Sequence, residues 1–288
     1  MHKIQKKSNF IILLPVYNDW YNLNILLKKI KNIYSTRTKI KILIVNDCST
    51  INNYKLKLKK LFKIEVLNLS KNVGSQRAIA IGLSYIHKKY LQSYNFTIIM
   101  DSDGQDNPKI LPEMINCFNQ KKDEVLVVQR INRKENRLFK ILYRIYKFTF
   151  TIFTWKSIKF GNFSLINNKF LFRIVNTKDL WAAYPSTIIQ KYSKIKKINS
   201  DRDKRYKGNT KMNILKLLDH ALRVFLVFKK KIFFVSAIYF LLLSSLIPNQ
   251  TTNFFLCFLI INTIIILRWL VNCQNFKKAK TEIKFNLI

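Results

Sequence analysis

The sequence is poor in glycine, and this scarcity excludes the usual phosphate-binding loops. Only five glycines occur in 288 residues, and neither G-x-G-x-x-G nor G-x-x-x-x-G-K-[ST] is present. A nucleotide bound by this chain would therefore need a metal ion, rather than a glycine-rich loop, to hold its phosphates.

Clusters of cysteine and histidine are also lacking. The four cysteines form no C-x-x-C pair, and the three histidines are scattered along the chain. This pattern excludes a zinc site and a disulfide framework, and it indicates a reducing, cytosolic environment. The apolar run near the N-terminus is too short for a signal peptide and has no small-residue cleavage site, so we expect no export.

Acidic residues are scarce. Aspartate and glutamate number 15 against 52 lysines and arginines, which gives a formal net charge of +37. Such an excess favours anionic partners, namely nucleic acid, an anionic membrane surface or phosphorylated substrates. Lysine is abundant throughout the sequence, so the charge alone does not decide between these partners. A local cluster of acids is more informative in such a chain.

One such cluster follows the apolar run Thr97–Met100. Three carboxylates, an amide and a proline occupy Asp101–Pro108. A buried strand that ends in acids is a common way for an α/β protein to hold a metal and a phosphate-bearing ligand. The alternative is an acidic turn that caps the helix predicted to begin at Pro108, since Asp and Asn favour both positions.

The pattern around this cluster predicts an α/β fold. Apolar runs alternate with amphipathic stretches, which predicts a mostly parallel, doubly wound sheet. The predicted strands are Phe10–Val16, Lys41–Val45, Ile64–Leu69, Thr97–Met100 and Glu124–Gln129, and the predicted helices include Leu23–Ile33, Asn53–Phe62 and Pro108–Asn119. Asn18 and Asp19 follow the first strand, and Asp47 follows the second. Because parallel strands end at one edge, these residues should share a ligand site with Asp101 and Asp103.

The second half of the chain is basic and aromatic, then apolar. Residues 132–155 carry aromatic side chains at helical spacing among cations, which fits either a core-facing helix or an interfacial helix on anionic lipid. Two charge-poor apolar runs, Ile232–Ile247 and Phe254–Val271, are flanked by Lys229–Lys231 and by Lys277 with Lys278. These features predict a transmembrane helical hairpin with both ends in the cytoplasm.

The predicted organisation has four parts. Residues 1–212 form the α/β domain, 213–231 an amphipathic juxtamembrane helix, 232–272 the transmembrane hairpin and 273–288 a basic cytoplasmic tail. This arrangement predicts a protein of the cytoplasmic membrane that contacts anionic lipid and whose α/β domain lies on the cytoplasmic side. The sequence is also compatible with a homo-oligomer.

Four motifs in order resemble family 2 glycosyltransferases. They are P-V-Y-N-D at 15–19, N-D-C-S-T at 46–50, N-V-G-S-Q-R-A-I at 72–79 and D-S-D-G-Q-D-N-P at 101–108. The sequence is most similar to the dolichol- and polyprenyl-phosphate hexosyltransferases, because R-Y-K-G-N-T-K at 205–211 is similar to their R-x-x-G-x-S-K segment. The resemblance implies a Rossmann-like GT-A domain, a nucleotide-diphospho-sugar donor, Mg²⁺ or Mn²⁺, and inversion at the anomeric carbon.

The resemblance also implies roles for individual residues. The metal ligands would be Asp101, Asp103 and Gln105, with Asp103 also catalytic. The donor would meet Pro15, Tyr17, Asp19, Asp47, Asp101, Arg205 and Lys211. The acceptor's phosphate would meet Arg130 and Arg133, since an arginine fork binds two phosphate oxygens at once.

The acceptor stays open at this point. The prenyl-phosphate enzymes tend to carry G-D-F-R-L-[LM]-D-R, whereas this chain has G-N-F-S-L-I-N-N at 161–168. A lipid phosphate acceptor is already an anionic nucleophile, whereas a glycan hydroxyl needs a general base, for which Asp106 is the nearby carboxylate without another role. Two further hypotheses are an inactive, lipid-binding relative and a basic, nucleic-acid-binding membrane protein. No nucleic-acid motif is present, so we expect no nucleic-acid partner.

Overall fold

The computed structural model describes residues 9–34, 39–51, 62–120, 124–130, 137–175, 177–208, 214–282 and 285–287. The predicted helix over 53–62 falls almost wholly outside these ranges, as do Arg133 and Lys211. The strands are β1 Phe10–Val16, β2 Ile40–Asn46, β3 Lys63–Leu69, β4 Phe96–Ile99, β5 Val125–Arg130, β6 Phe160–Asn167, β7 Ile195–Ser200 and β8 Phe285–Leu287. They form one sheet in the order β7-β5-β6-β4-β1-β2-β3-β8.

The sheet is mixed, but it is mostly parallel as predicted, because six of its eight described strands run in one direction and only β6 and β8 oppose them. Strands β1 to β4 are parallel, but β6 inserts between β4 and β5 and runs antiparallel to both. The short β8 pairs antiparallel with β3, at the other edge. Sequence patterns reveal strands but not their spatial order, and β7 was not predicted because its lysines obscure the apolar alternation.

Two apolar layers cover the sheet. All seven residues of β1 are buried, as expected for a central strand covered on both faces. Alternate residues serve opposite layers, since Ile11 and Leu13 face one cluster and Ile12 and Leu14 the other. This arrangement fixes the carboxyl ends of β1, β2 and β4 at one edge of a rigid scaffold.

Nine helices occur in the described residues. They are α1 Trp20–Ile33, α2 Ser75–Tyr90, α3 Leu111–Gln120, α4 Arg137–Thr154, α5 Lys178–Ala182, α6 Tyr184–Lys191, α7 Ile214–Val227, α8 Lys229–Leu246 and α9 Thr251–Glu282, with 3₁₀ turns at Pro108–Ile110, Asn168–Arg173 and Pro248–Gln250. The layer containing α1 and α3 covers one face, and α2 lies in the layer on the other. Residues of α5 to α9 also belong to the α2 layer.

Helix α4 faces the core on one side only. Phe150 is buried and packs against Phe225 and Phe228 from the C-terminal helices. Ile141, Ile145 and Phe148 are instead more than half exposed on the same helix. One side of α4 therefore belongs to the core, while another presents apolar side chains outward.

Helices α8 and α9 pack against each other. Asn262 of α9 donates a hydrogen bond of 3.0 Å to the hydroxyl of Ser236 on α8, and both residues are buried. Among the described residues, only the stretch Pro248–Lys278 is long and apolar enough to cross a membrane. Helix α8 has 18 residues and begins with three lysines, so it does not meet the same requirement. The structure supports one candidate span where the sequence predicted two.

Candidate active site

The acidic turn after β4 is folded around its own side chains. The hydroxyl of Ser102 donates to the carbonyl of Pro15 at 3.0 Å, which ties the turn to the end of β1. The amide of Gln105 donates to Asp103 at 3.0 Å, and the amide of Asp101 donates to Asp106 at 2.9 Å. These bonds present Asp101 and Asp103 from a preformed loop at the sheet edge.

A distant loop, residues 201–208, lies on this turn. The amide of Asp203 donates to the carbonyl of Gln105 at 3.0 Å, and the amide of Tyr206 donates to that of Asp103 at 3.3 Å. Gly104 has a φ of +85°, and a Cβ at this position would overlap the Tyr206 ring. The close approach of the two segments thus requires glycine, for both conformation and space.

Each of the three predicted metal ligands faces an arginine. Arg205 contacts Asp103 at 3.3 Å and also pairs with Asp19. The guanidinium of Arg202 donates to the side-chain carbonyl of Gln105. On the other side, Arg130 lies 4.0 Å from Asp101. The predicted donor residues Asp19, Asp101, Asp103 and Arg205 are therefore brought together, with guanidinium groups balancing the carboxylates.

Carboxylates crowd this edge enough to affect one another. Burial, and next the charge of Asp101, raise the pKa of the Asp103 carboxyl, while Arg205 and Arg202 oppose the shift. Within the described residues, no three Asp, Glu, His or Cys side chains are close enough to form a complete metal site. Two neighbouring carboxylates and an amide oxygen are still the ligand types that Mg²⁺ and Mn²⁺ prefer, so the donor set fits such an ion.

Asp106 is buried beneath the turn. One of its oxygens accepts the Asp101 amide, and the other lies 3.5 Å from Arg130. Burial and the charge of Asp101 raise the pKa of Asp106 to about 7. Asn107, rather than Asp106, caps the following 3₁₀ turn, because its side chain accepts from the Lys109 amide.

Asn162, the asparagine of the divergent G-N-F-S motif, holds Asp101 in position. Its Nδ2 donates to Asp101 at 2.9 Å, while its Oδ1 accepts from Gln76 of α2 at 2.9 Å. Gln76 in turn accepts from the backbone amide of Tyr184 at 2.8 Å. An aspartate at 162 would place a further carboxylate against Asp101.

The neighbouring Gly161 makes room for Arg130. A Cβ at this glycine would lie 2.7 Å from a guanidinium nitrogen of Arg130. The predicted acceptor-phosphate residue therefore passes over the start of β6 to reach Asp101 and Asp106.

The loops after β1 and β2 are clamped together. The side-chain oxygen of Asn18 accepts the amides of Thr50 and Ile51, at 2.9 and 3.1 Å. Asn18 and Cys48 both have positive φ, of 51° and 55°, which is uncommon for residues other than glycine. Tyr17, predicted to contact the donor, is 39% exposed on the loop that this clamp fixes.

Asp47 serves a different loop in this structure. Its carboxylate accepts the amides of Val73 and Gly74, at 2.7 and 2.8 Å, just before α2. Burial raises the pKa of Asp47 to about 6, although these amides and the charge of Arg77 act in the opposite direction. Its predicted contact with the nucleoside remains a prediction.

Sequence reasoning missed several residues of the site. Asp201 and Arg202 line a small cleft together with Asp106 and Arg130, and Asp203 lies beside the turn through its backbone. Asp106 is consequently not the only carboxylate near the predicted acceptor side. The spacing of the 205–211 motif identified the loop, but only tertiary structure brings its first residues to the acids.

A family model describes the domain that carries this site. Residues 11–181 match the model named glycosyl transferase family 2, which is more than half of the chain. The chain belongs to glycosyl transferase family 2. The family predicted from the four motifs is thus confirmed, as is the expectation of a glycosyltransferase domain.

Two relatives of this family 2 chain are themselves named uncharacterized glycosyltransferases. One, from Synechocystis, is 25% identical over 236 residues, which cover 73% of this chain and 66% of the relative. The other, YkcC from Bacillus subtilis, is 24% identical over 233 residues, covering 75% of this chain and 67% of YkcC. The family 2 chain therefore spans about two thirds of the length of these relatives.

Solved structures support the GT-A-like fold of this family 2 chain. TarS of S. aureus in complex with UDP-GlcNAc matches with a TM-score of 0.53 and 16% identity, over 94% of this chain and 81% of TarS. Glucosyl-3-phosphoglycerate synthase from Mycobacterium tuberculosis, in complex with Mn²⁺, UDP-glucose and phosphoglyceric acid, matches with a TM-score of 0.56 and 9% identity. That match covers 78% of this chain and 80% of the synthase.

Proposed function

We propose that this protein is a membrane-anchored, metal-dependent inverting glycosyltransferase. It moves a hexose from a nucleotide-diphospho-sugar to a polyprenyl-phosphate-type lipid at the cytoplasmic face of the membrane. The observation that carries this proposal is the cluster of Asp101, Asp103 and Gln105 at the sheet edge, ringed by Arg130, Arg202 and Arg205. Carboxylates and arginines together can hold a diphosphate through a cation and direct ion pairs.

The donor end is the better supported part. Asp101, Asp103 and Gln105 would hold Mg²⁺ or Mn²⁺, which when bound neutralises charge on the leaving diphosphate. Arg205, which here pairs with Asp103 and Asp19, can exchange those carboxylates for phosphate oxygens. Two structural neighbours were solved with UDP-sugars, one of them with Mn²⁺, which supports a UDP-sugar as the first donor to test.

The acceptor is proposed from the state of Asp106. Its carboxylate is buried and already accepts a backbone amide beside Arg130, which suits a charge-balancing role better than proton removal from a substrate. A lipid phosphate needs no general base, because it is already an anion. Arg130 would meet this phosphate, and Arg133 remains a proposed contact to it. Lys211 remains a proposed contact to the donor.

A glycan hydroxyl is the second candidate acceptor, and Asp201 is the observation that favours it. This carboxylate lines the cleft beside Arg130 and Arg202 and is exposed, so it could receive a proton from a bound hydroxyl. A base at this position would also explain why a carboxylate stands among cations on the loop.

Membrane anchoring is proposed from the C-terminal helices. Helix α9 leaves Leu256, Ile260 and Leu267 about half exposed, and Leu241 and Leu246 of α8 are exposed further still. Lipid would cover these side chains, and the lysines flanking the helices would remain at the cytoplasmic surface. The exposed apolar side of α4 suits the interface between lipid and water. Both helices would enter the bilayer as a hairpin, with α9 as the longer element.

A donor and acceptor screen tests the proposal. Purified full-length protein in detergent is given UDP-sugars and other nucleotide-diphospho-sugars with Mn²⁺, and nucleoside diphosphate release is measured with and without EDTA. A prenyl phosphate is then compared with a sugar alcohol as acceptor. Release that persists in EDTA would contradict metal dependence, and transfer only to the sugar alcohol would favour the hydroxyl acceptor. Asp201→Asn should then abolish transfer, whereas it should be harmless with a phosphate acceptor.

A further inference from the structure

A second cationic site lies away from the acidic turn. A cavity of about 240 Å³ opens where the loop after β3 meets α5 and the C-terminal part of α9. Its cations are Lys71, Arg77 and Lys278, and its wall includes Trp181 and Asn275. None of these residues belongs to the proposed donor or acceptor set. The volume is several times the ~30 Å³ share of a water molecule, so it admits a polyatomic group.

Positive charge exceeds negative charge around this cavity. Arg77 lies near Arg223 and Arg268, and burial together with these like charges lowers the pKa of Arg77 to about 10. The nearby carboxylate of Asp219 is shared, since it pairs with Arg223 at 2.7 Å and also with Arg268. Asp47 also acts on Arg77, so three arginines, Arg77, Arg223 and Arg268, lie near two carboxylates.

Two buried donors on the cavity wall also lack acceptors. In the described part of the chain, neither Nε of Arg77 nor Nε1 of Trp181 has a hydrogen-bond partner. Trp181 is 5% exposed, and the Arg77 guanidinium lies 5.4 Å from the centre of its ring. A buried donor without an acceptor is unfavourable, so an acceptor-rich ligand at this position is favoured.

We propose that this cavity binds a phosphate-bearing anion, with Lys71, Arg77 and Lys278 supplying the charge. A phosphate group offers acceptor oxygens to the unpaired donors of Arg77 and Trp181, and its negative charge suits a cavity lined by cations. Asn275 and Lys278 lie in α9 at the end of its long apolar stretch. A lipid headgroup and a soluble phosphate share the chemistry that this site recognises. The proposal does not depend on glycosyl transfer, because binding can be measured without turnover.

Binding of two probes to the full chain in detergent tests the site. The first probe is inorganic phosphate, and the second is phosphatidic acid in mixed micelles, compared with phosphatidylcholine alone. Saturable binding of phosphate in solution identifies a soluble anion as a ligand, whereas binding confined to phosphatidic acid identifies a lipid headgroup. Tryptophan fluorescence reports occupancy, since Trp181 forms part of the wall.

Matched variants locate the binding. We expect the double variant Lys71→Gln/Lys278→Gln to bind about tenfold more weakly, as does Arg77→Gln, because each loses charge-assisted hydrogen bonds. Lys28→Gln/Lys88→Gln removes the same charge from exposed helical positions and should bind like the wild type. Trp181→Phe should lose most of the fluorescence change.

Two results would overturn the site. One is equal affinity of the wild type and the Lys71→Gln/Lys278→Gln variant, which would assign phosphate binding to other residues. The other is a result in which neither inorganic phosphate nor phosphatidic acid binds. The double lysine variant decides the question even where Arg77→Gln fails to fold, because neither lysine is fully buried.

Discussion

The acidic turn and the cationic cavity beside α9 both contain arginines, but they differ in charge balance. At the turn, Asp101, Asp103 and Gln105 each face a guanidinium group, so the polar groups of this site are already paired with one another. At the cavity, Arg77 and Trp181 retain buried donors without acceptors among the described residues. A ligand at the turn must therefore exchange existing pairs, whereas a ligand at the cavity would supply acceptors to Arg77 and Trp181.

The largest effect is expected from Asp103→Asn. This change removes a charge that the proposed cation and Arg205 both use, so we expect nucleoside diphosphate release to fall at least ~100-fold. Circular dichroism and the thermal midpoint should stay close to the wild type. Glu113→Gln, an exposed acid on α3, is the matched control and should keep full activity. Full activity of Asp103→Asn would show that the acidic turn takes no part in the reaction.

Arg205→Gln tests whether guanidinium groups and the proposed cation exchange at the turn. Without its pairs to Arg205, Asp103 should bind Mn²⁺ about threefold to tenfold more tightly, since one charge pair no longer competes. Donor turnover should nevertheless fall, because the phosphate loses a partner. Mn²⁺ titration followed by electron paramagnetic resonance measures the first effect. Lys204→Gln removes an exposed charge from the same loop, and an identical Mn²⁺ affinity in both variants would argue against exchange.

Asn162→Asp tests the orientation of Asp101. The change replaces a 2.9 Å hydrogen-bond donor with a like charge, and we expect turnover to fall about tenfold. Asn199→Asp adds the same charge at an exposed position of β7 and serves as the control. Turnover that is unchanged in Asn162→Asp would show that Asp101 needs no support from β6.

Glu65 provides a third, balanced cluster away from both sites. It pairs with Lys41 at 2.6 Å and Lys89 at 2.9 Å and accepts from Tyr85 and Tyr90, and these partners lower its pKa to about 2 against the opposing effect of burial. The folded pKa lies below the unfolded value, so the stabilisation is present above about pH 4.5 and is lost as pH falls towards 2. Glu65→Gln should cost about 1–3 kcal/mol at pH 7 without changing turnover or phosphate binding.

Chemical denaturation at two pH values measures this effect. The difference between wild type and Glu65→Gln should shrink between pH 7 and pH 3. A difference that grows towards acid would contradict the assignment of a lowered pKa.

Local sequence patterns were enough to predict the central strands and the acidic turn. The apolar runs before Asp19, Asp47 and Asp101 are strands, as expected for buried apolar segments that end in polar loops. Their ends share one edge of the sheet because the three strands are parallel. The position of β6 between β4 and β5 could not be predicted from the sequence, since no local pattern in Phe160–Asn167 identifies the neighbouring strands.

Roles that depend on tertiary contacts were also hidden. Asp47 and Asp106 look alike in sequence as acids after strands, yet one receives the amides of the α2 loop and the other lies beneath its own turn. The cavity beside α9 joins residues about 200 positions apart, from Lys71 to Lys278, and no spacing rule connects them.

The hydrogen bond between Asn262 and Ser236 has a mechanical consequence. It sets the register of α8 against α9, and Asn272 of α9 donates to the carbonyl of Lys178 at 3.0 Å in the body of the domain. With the proposed anchor in lipid, the domain cannot rise or tilt without breaking these contacts. The sheet edge would then work at a constant height above the bilayer, and an acceptor would be selected partly by how far its reactive group projects from the membrane surface.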